Sequence, residues 1–310
     1  MSSAVLVADL GGTKCRFAVV TARGKIVGLC EAKTSTDKQR FLATAVRKLR
    51  SARRHEKAKK LTPVAIGVGT AGVIATDHLS IRHAPNLPIA GMPFAKYLQR
   101  KLHLPAVLVN DGRASAMGEY LHGRAKGQDP MLVLFFGTGI GIGLIVGGKP
   151  YEGATNAAGE IGHTIHVPGG RLCPCGQRGC YEAYCGGGPI LARATAELGK
   201  RSKRNPWTLA KLRELAPTEP KAKAILGDAE RAATALVASA CTLLNPAAVV
   251  LGGGLLQKGW PELYDKITRF VKKSCSPSVL EGLRFEKALA GSSAILLGAA
   301  GFAAKFATKG

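Results

Sequence analysis

Residues 5–20 read VLVADLGGTKCRFAVV and residues 131–150 read MLVLFFGTGIGIGLIVGGKP. Each is an apolar run, a short turn of glycine with threonine, and a second apolar run. Short apolar runs bounded by turn signals read as buried strands, so each stretch predicts a hairpin whose turn exposes backbone N–H groups. Two such hairpins predict a degenerate internal duplication; the alternative is two unrelated glycine hairpins with the same outline.

The pattern extends outward from both. Strands are expected at 4–10, 15–20 and 25–32, then helical periodicity over 37–60, a strand at 64–70, a helix at 94–103 and a strand at 106–111. In the second half, helices are expected at 189–200, 206–215, 220–244 and 258–274, a strand at 247–253, and a final helix at 292–307. Strands with helices interposed are the signature of an α/β fold. A length of 310 residues suggests two domains. No Ser/Gly linker separates them, so a hinge is expected rather than a tether.

Composition narrows the class. With 46% hydrophobic and 21% charged residues, wholesale disorder is excluded. The 39 glycines cluster in turns rather than in a triplet period, which excludes collagen. The 44 basic and 20 acidic residues leave a net charge of +24. Such a field attracts polyanions such as nucleic acid, polyphosphate or anionic membrane, and it equally suits a soluble basic surface; contact with nucleic acid or polyphosphate is compatible with the charge but not favoured, and no membrane partner is expected. The stretch 47–60, RKLRSARRHEKAKK, and the region 200–223 carry much of it; charge runs are usually solvated faces. The start, MSSAVLVADLGG, has no basic n-region or cleavage site. The longest uncharged run, 232–257, is broken by Asn245-Pro246 and three glycines, so it reads as helix, break and strand rather than a membrane span. A reducing cytoplasm is expected.

Several motifs carry chemistry. In DLGGTK (9–14), an acidic residue at a strand end precedes two glycines, a hydroxyl and a lysine. Backbone N–H groups there could approach phosphate, with Asp9 beside Mg²⁺ and Lys14 near the phosphate charge. FGTGIG (136–141) is a second such loop. Two look-alikes are rejected. Gly67-Val-Gly69-Thr-Ala-Gly72 matches G-x-G-x-x-G, but no helix follows. Gly143–Lys149 begins like a P-loop, but Pro150 stands where the Ser/Thr is needed.

His163, Cys173, Cys175 and Cys180 have the residue types and spacing of a tetrahedral zinc site. Four protein ligands fill the shell, so the zinc would be structural. Cys185 is expected on the following helix, buried, and Cys15, Cys30, Cys241 and Cys275 in the core. Glu160 and Glu182 flank the knuckle; they could hydrogen-bond a polyhydroxylated ligand or be ordinary surface glutamates. Asp111 ends a hydrophobic strand and could be a general base or the N-cap of the helix that follows.

Taken together, these segments resemble the ROK family of sugar kinases and repressors, over nearly the whole chain. The carriers are DLGGTK (9–14), GVGTAG (67–72), APNLP (84–88), VLVNDGRASAMGE (107–119), FGTGIGIG (136–143), GATNAAGEIGHTIH (153–166), CPCGQRGCYEAY (173–184), NPAAVVLGGGL (245–255) and GSSAILLGAA (291–300). The cysteine segment with its GEIGH lead is the most family-specific part, and the combination resembles the glucokinase branch.

The resemblance implies two actin-like (ribonuclease H-like) α/β domains with an interdomain cleft: a small one of residues 1–113 plus about 300–310, and a large one, 114–299, holding the zinc. It implies ATP-dependent phosphorylation of a hexose at the 6-hydroxyl, with glucose first and mannose, fructose, N-acetylglucosamine or N-acetylmannosamine as alternatives. A polyphosphate donor and a non-catalytic sugar sensor are further alternatives. Asp111 would be the catalytic base. Asn86, Asn110, Asp111, Glu160, His163 and Glu182 would bind the sugar. Asp9, Gly11, Gly12, Thr13, Lys14, Gly137, Thr138, Gly139, Gly252, Gly253 and Gly254 would bind Mg-ATP. His163 would serve both zinc and sugar. A dimer or tetramer is implied. Repressors of the family carry a DNA-binding domain before the first motif; here eight residues precede Asp9, so a kinase is expected. One departure stands out: the family's N-D-x-N has Arg113 in its last place. That cation either alters donor or sugar preference or faces outward.

Overall fold

The computed structural model describes residues 2–84, 86–202, 204–289 and 293–307. Pro85 of the APNLP motif, Gly291 and Ser292 of the last motif, and 308–310 of the expected small domain lie outside the described residues. The chain forms β1 (Ser2–Leu10), β2 (Lys14–Thr21), β3 (Ile26–Lys33), α1 (Lys38–Arg54), β4 (Leu61–Thr70), β5 (Val73–Ile74), β6 (Ile81–His83), α2 (Phe94–Leu102), β7 (Ala106–Asn110) and α3 (Asp111–His122). It continues with β8 (Met131–Phe136), β9 (Ile140–Val146), β10 (Lys149–Pro150), α4 (Glu182–Cys185), α5 (Gly187–Leu198), α6 (Leu209–Leu215) and α7 (Pro220–Leu244). Then come β11 (Ala248–Gly252), α8 (Leu263–Ser274), α9 (Pro277–Leu280), β12 (Arg284–Lys287) and α10 (Ser293–Ala307).

Two five-stranded sheets share one topology, with strand orders β3-β2-β1-β4-β7 and β10-β9-β8-β11-β12. In the first, β1, β4 and β7 run parallel and β2 and β3 complete an antiparallel meander. In the second, β8, β11 and β12 run parallel and β10 is antiparallel to β9. The shared order is the duplication expected from the paired hairpins.

The chain divides into two compact units. Unit one comprises Met1–Gly127, Gly143–Gly159 and Leu289–Gly310; unit two comprises Gln128–Ile142 and Glu160–Ala288. The expected boundary at 113/114 falls inside α3, which unit one holds whole because α3 packs on α10. In unit one, alternate residues of β1 enter different cores. Leu6, Ala8 and Leu10 pack with Phe41 and Leu49 of α1 and Leu98 of α2. Val5 and Val7 pack with Leu296, Leu297 and Ala300 of α10. A strand covered on both faces needs apolar residues at every position, which is why VLVADL reads as a continuous run. In unit two, Leu132, Leu134 and Phe136 of β8 and Val249 and Leu251 of β11 pack beneath α7, whose buried stripe includes Ile225, Leu236 and Val237.

Several expectations shift locally. The helix expected over 37–60 ends at Arg54, where His55 turns extended, and a single 3-10 turn follows at Glu56–Ala58. The helix expected at 258–274 begins at Leu263, preceded by a π turn at Leu255–Gly259. The 67–72 glycines lie on β4 and its turn, with β5 and not a helix after them, and no helix opens after Lys149. Cys15, Cys185 and Cys241 are buried, whereas Cys30 and Cys275 are only half-buried, each on the rim of a core. No helix among the described residues is long and apolar enough to cross a membrane.

Candidate functional site

In unit one, three parallel strands end in register. Leu10 of β1 pairs with Thr70 of β4, which pairs with Asn110 of β7. Asp9 lies one residue before this line and Asp111 one residue after it. The carboxyl ends of parallel strands are where open α/β sheets bind ligands. Burial pushes the Asp9 carboxyl up from its ordinary 3.8 to about 6, against the pull of the Arg16 guanidinium; the charge of Asp111 raises it further. Arg16 Nη1 lies 3.5 Å from Asp9 Oδ2. Burial also raises Asp111, opposed by the N–H of Gly112, which donates to its Oδ1 at 2.9 Å. Asp9 is buried and Asp111 half-buried; two neighbouring acids whose charges repel form a place for a cation or for a proton to be exchanged.

The helix cap is Asn110, not Asp111. Asn110 Oδ1 accepts from Gly112 N at 3.0 Å and Arg113 N at 3.3 Å, and its Nδ2 donates to Gly72 O at 3.2 Å. The cap therefore leaves the Asp111 carboxyl for chemistry and ties the 67–72 turn to β7.

The DLGGTK turn is held from beneath. Thr34 Oγ1 donates to Gly11 O at 2.6 Å, and Thr34 N donates to Thr13 O at 3.0 Å. Asn86 lies against the turn: a β-carbon on Gly12 would sit 2.7 Å from Asn86 Cβ. Lys14 is placed differently from the phosphate-facing expectation. Its ammonium donates to both Glu31 oxygens at 2.9 Å, and Arg16 Nε reaches the same carboxylate at 2.9 Å. Thr34 and Glu31 carry no local sequence signal. Arg16 is set opposite Asp9 by the antiparallel register of the β1–β2 hairpin.

Arg113 faces inward, which corrects the outward alternative. It is 4% exposed. Its Nη1 donates to Asn156 Oδ1 and its Nη2 to Ala158 O at 2.9 Å. Asn156 in turn donates from Nδ2 to Ala75 O at 3.2 Å. The strap GATNAAG is thereby pinned to α3 within unit one. Nearby, His78 bridges Leu108 O (3.1 Å) and Glu152 Oε2 (3.3 Å).

In unit two, His163, Cys173, Cys175 and Cys180 offer ligand atoms all within 4.8 Å of one another. Gly176 and Gly179 take φ of +91° and +88°, turning the chain back on itself between the cysteines. The antiparallel bridge Leu172–Arg178 closes the knuckle, and a second, Ile165–Cys180, ties it to the segment after His163. Burial pushes the Cys173 thiol up to about 12, whereas the backbone N–H of Gln177 lowers that of Cys175; a bound cation would hold the set as thiolates. Three sulfurs and one imidazole nitrogen fit zinc by donor type and number. The His163 ring presents Nδ1 to Cys173 Sγ at 3.6 Å and Nε2 toward Glu160 Oε2 at 4.0 Å. One nitrogen thus faces the sulfurs and the other faces a carboxylate.

Glu182 turns to the Gly-Thr turn. Its Oε2 accepts from Ile140 N at 2.7 Å, and a β-carbon at Gly139 would lie 2.4 Å from that oxygen. The start of α5 holds the turn from the other side, with Gly187 N donating to Gly137 O at 2.9 Å and Gly188 N to Thr138 O at 2.7 Å. Gly252 pairs in register with Phe135, and Gly253 abuts Phe136. The glycines at 252–254 and the Gly-Thr turn therefore meet at the carboxyl ends of β8 and β11. A pocket of about 580 Å³ opens here, with Thr138, Gly139, Cys173, Glu182 and Gly188 in its walls.

The ROK family model matches residues 5–305. A glucokinase from Streptomyces coelicolor is 32% identical over 266 residues, spanning 81% of this chain and 82% of that protein. An N-acetylmannosamine kinase from Yersinia pestis is 32% identical over 254 residues, with the same coverage of 81% and 82%. A ROK family glucokinase from Streptomyces griseus, solved in complex with glucose and AMPPNP, superimposes with a TM-score of 0.76 at 28% identity, covering 97% of this chain and 99% of that one. The architecture is the actin-like α/β fold of these kinases.

Proposed function

The chain belongs to the ROK family, and from that premise we propose that it transfers the γ-phosphoryl group of ATP to the 6-hydroxyl of a hexose, glucose first. The observation that carries this is the pair of acids with raised pKa, buried Asp9 and half-buried Asp111, at the ends of parallel strands in one unit. The 32% identity to a glucokinase supports glucose, and equal identity to an N-acetylmannosamine kinase supports that sugar as the second reading.

In this reading Asp111 accepts the proton of the attacking hydroxyl. Its raised pKa suits a group that must take up a proton at the moment of transfer. Asn110 keeps Asp111 at the helix start and has an amide hydrogen beyond its bond to Gly72 for a sugar hydroxyl. Asn86, Glu160 and His163 complete the sugar contacts. Glu182 orders the Gly-Thr turn and meets the sugar only through an oxygen that Ile140 does not use. Asp9, the 9–14 turn and the 137–139 turn receive Mg-ATP, whose ion supplies charge neutralisation along the phosphates when bound. Gly252, Gly253 and Gly254 flank the nucleoside. Catalysis is then positioning and electrostatics, as phosphoryl transfer requires.

His163, Cys173, Cys175 and Cys180 would hold one structural zinc, which supplies a crosslink for the knuckle. Its imidazole nitrogen Nε2 stays available to the sugar side. The cysteines are all unpaired, which suits a reducing cytoplasm. The test is ADP release with Mg-ATP and a panel of hexoses. Release that depends on glucose supports the proposal, release only with N-acetylmannosamine supports the second reading, and release with no sugar overturns both.

A further inference from the structure

Helix α1 carries seven lysines and arginines and no acidic residue. Its apolar face, Phe41, Ala45, Val46, Leu49 and Ala52, is buried. A groove of about 660 Å³ runs beside it against α2, with Arg47, Arg50, Arg54, Tyr97 and Lys101 in its walls. Among the described residues, no carboxylate lines it. The four cations are exposed and the tyrosine is half-buried. Arg47, Arg50 and Arg54 are spaced i, i+3 and i+7, so they share one helix face and span about 10 Å along its axis. Arg50 is held across the groove by donating from Nη2 to Lys101 O at 3.0 Å. All these residues lie within unit one, on α1 and α2, outside the residues assigned to sugar and nucleotide.

We propose that this α1–α2 groove binds the backbone of a single-stranded nucleic acid. A row of cations about 10 Å long with no acid among them matches a run of phosphates rather than one small anion. Tyr97 supplies a ring beside the cations, and an aromatic next to a positive track is the usual arrangement for gripping a base along with its phosphate. A polyphosphate chain has no base and no use for that ring. The inference stands apart from the kinase reading.

The test is fluorescence anisotropy with a labelled 20-mer of oligouridylate, on the full chain. The variant Arg47→Ala/Arg50→Ala/Arg54→Ala is compared with a charge-matched control, Arg269→Ala/Lys272→Ala/Lys273→Ala, on exposed positions of α8 in unit two. The groove variant should bind at least tenfold more weakly, and its log–log salt slope should fall by about 2, since single strands lose roughly 0.7 per phosphate contact. The control should stay within threefold of the parent. Equal losses in both variants would show that only bulk charge binds and would overturn the proposal. Tyr97→Leu, checked for an unchanged melting temperature, should weaken the oligonucleotide at least fivefold and leave inorganic polyphosphate binding unchanged. An unchanged oligonucleotide affinity in that variant would assign the groove to polyphosphate instead.

Discussion

Glu182 Oε2 accepts the backbone N–H of Ile140 at 2.7 Å. Glu182 stands two positions after the zinc-ligand candidate Cys180, and Ile140 closes the Gly-Thr turn. The cysteine knuckle and the turn proposed to hold phosphates are therefore joined by one carboxylate.

That link predicts a split between two substitutions. Glu182→Ala leaves the Ile140 N–H without its acceptor and lets the turn relax; Glu182→Gln keeps an acceptor oxygen and loses only the charge. The alanine variant should raise the KM for Mg-ATP at least tenfold and the glutamine variant less than threefold. Steady-state kinetics at saturating hexose checks this, and equal effects in both variants would show that charge, not the turn, matters.

Asp9 predicts a pH dependence of stability. Its folded pKa of about 6 lies above its ordinary 3.8. Below about pH 4 the group is neutral in both states and costs nothing. As pH rises, the unfolded chain ionises first, so stability falls between about pH 4 and 6 and then levels off, by roughly 3 kcal/mol. Asp9→Asn should flatten that slope, melting several degrees above the parent at pH 7.5 and close to it at pH 4 in metal-free buffer, while turnover collapses. Melting curves across pH are the check; parallel profiles for both proteins would contradict the buried-acid account.

Much of this was legible in the sequence, and what was not has a physical pattern. The apolar runs at 5–10 and 131–136 are read directly, because a strand covered on both faces cannot admit polar residues. The cysteine cluster is equally direct, since its ligands are close in sequence. Partners fixed by tertiary packing are not legible. Lys14 turns to Glu31 on β3, seventeen residues away, and Arg113 binds Asn156, forty-three residues away. The cap at Asn110 competed with Asp111 beside it, and only backbone geometry decides between neighbours of similar capping strength. Short elements such as β10, β12 and α9 offer too few residues for periodicity to register.

Arg113 predicts a coupling energy. Its removal leaves buried Asn156 Oδ1 and half-buried Ala158 O without this donor. Arg113→Ala should cost about 3 kcal/mol by denaturant unfolding, given 1.5–3 kcal/mol for hydrogen bonds to charged groups. A double-mutant cycle with Asn156→Ala should show a coupling of about 1–3 kcal/mol. Strict additivity would mean that the two side chains do not act together.

The cluster at His163, Cys173, Cys175 and Cys180 predicts about one zinc per chain by elemental mass spectrometry after a weak chelator wash. Cys175 is exposed, so Cys175→Ser removes a ligand without carving a cavity. That variant should retain less than a fifth of the metal and melt at least 5 °C lower. Metal-free parent protein with full activity would remove zinc from the account.

In the proposed reaction Asp111 takes the hydroxyl proton, and turnover together with hexose binding in Asp111→Asn tests that role. The amide keeps the volume and an acceptor for Gly112 N–H but cannot accept a proton as the carboxylate does. Asp111→Asn should lower kcat at least a thousandfold and leave the hexose Kd within threefold of the parent by calorimetry. Near-normal turnover in Asp111→Asn would contradict that role.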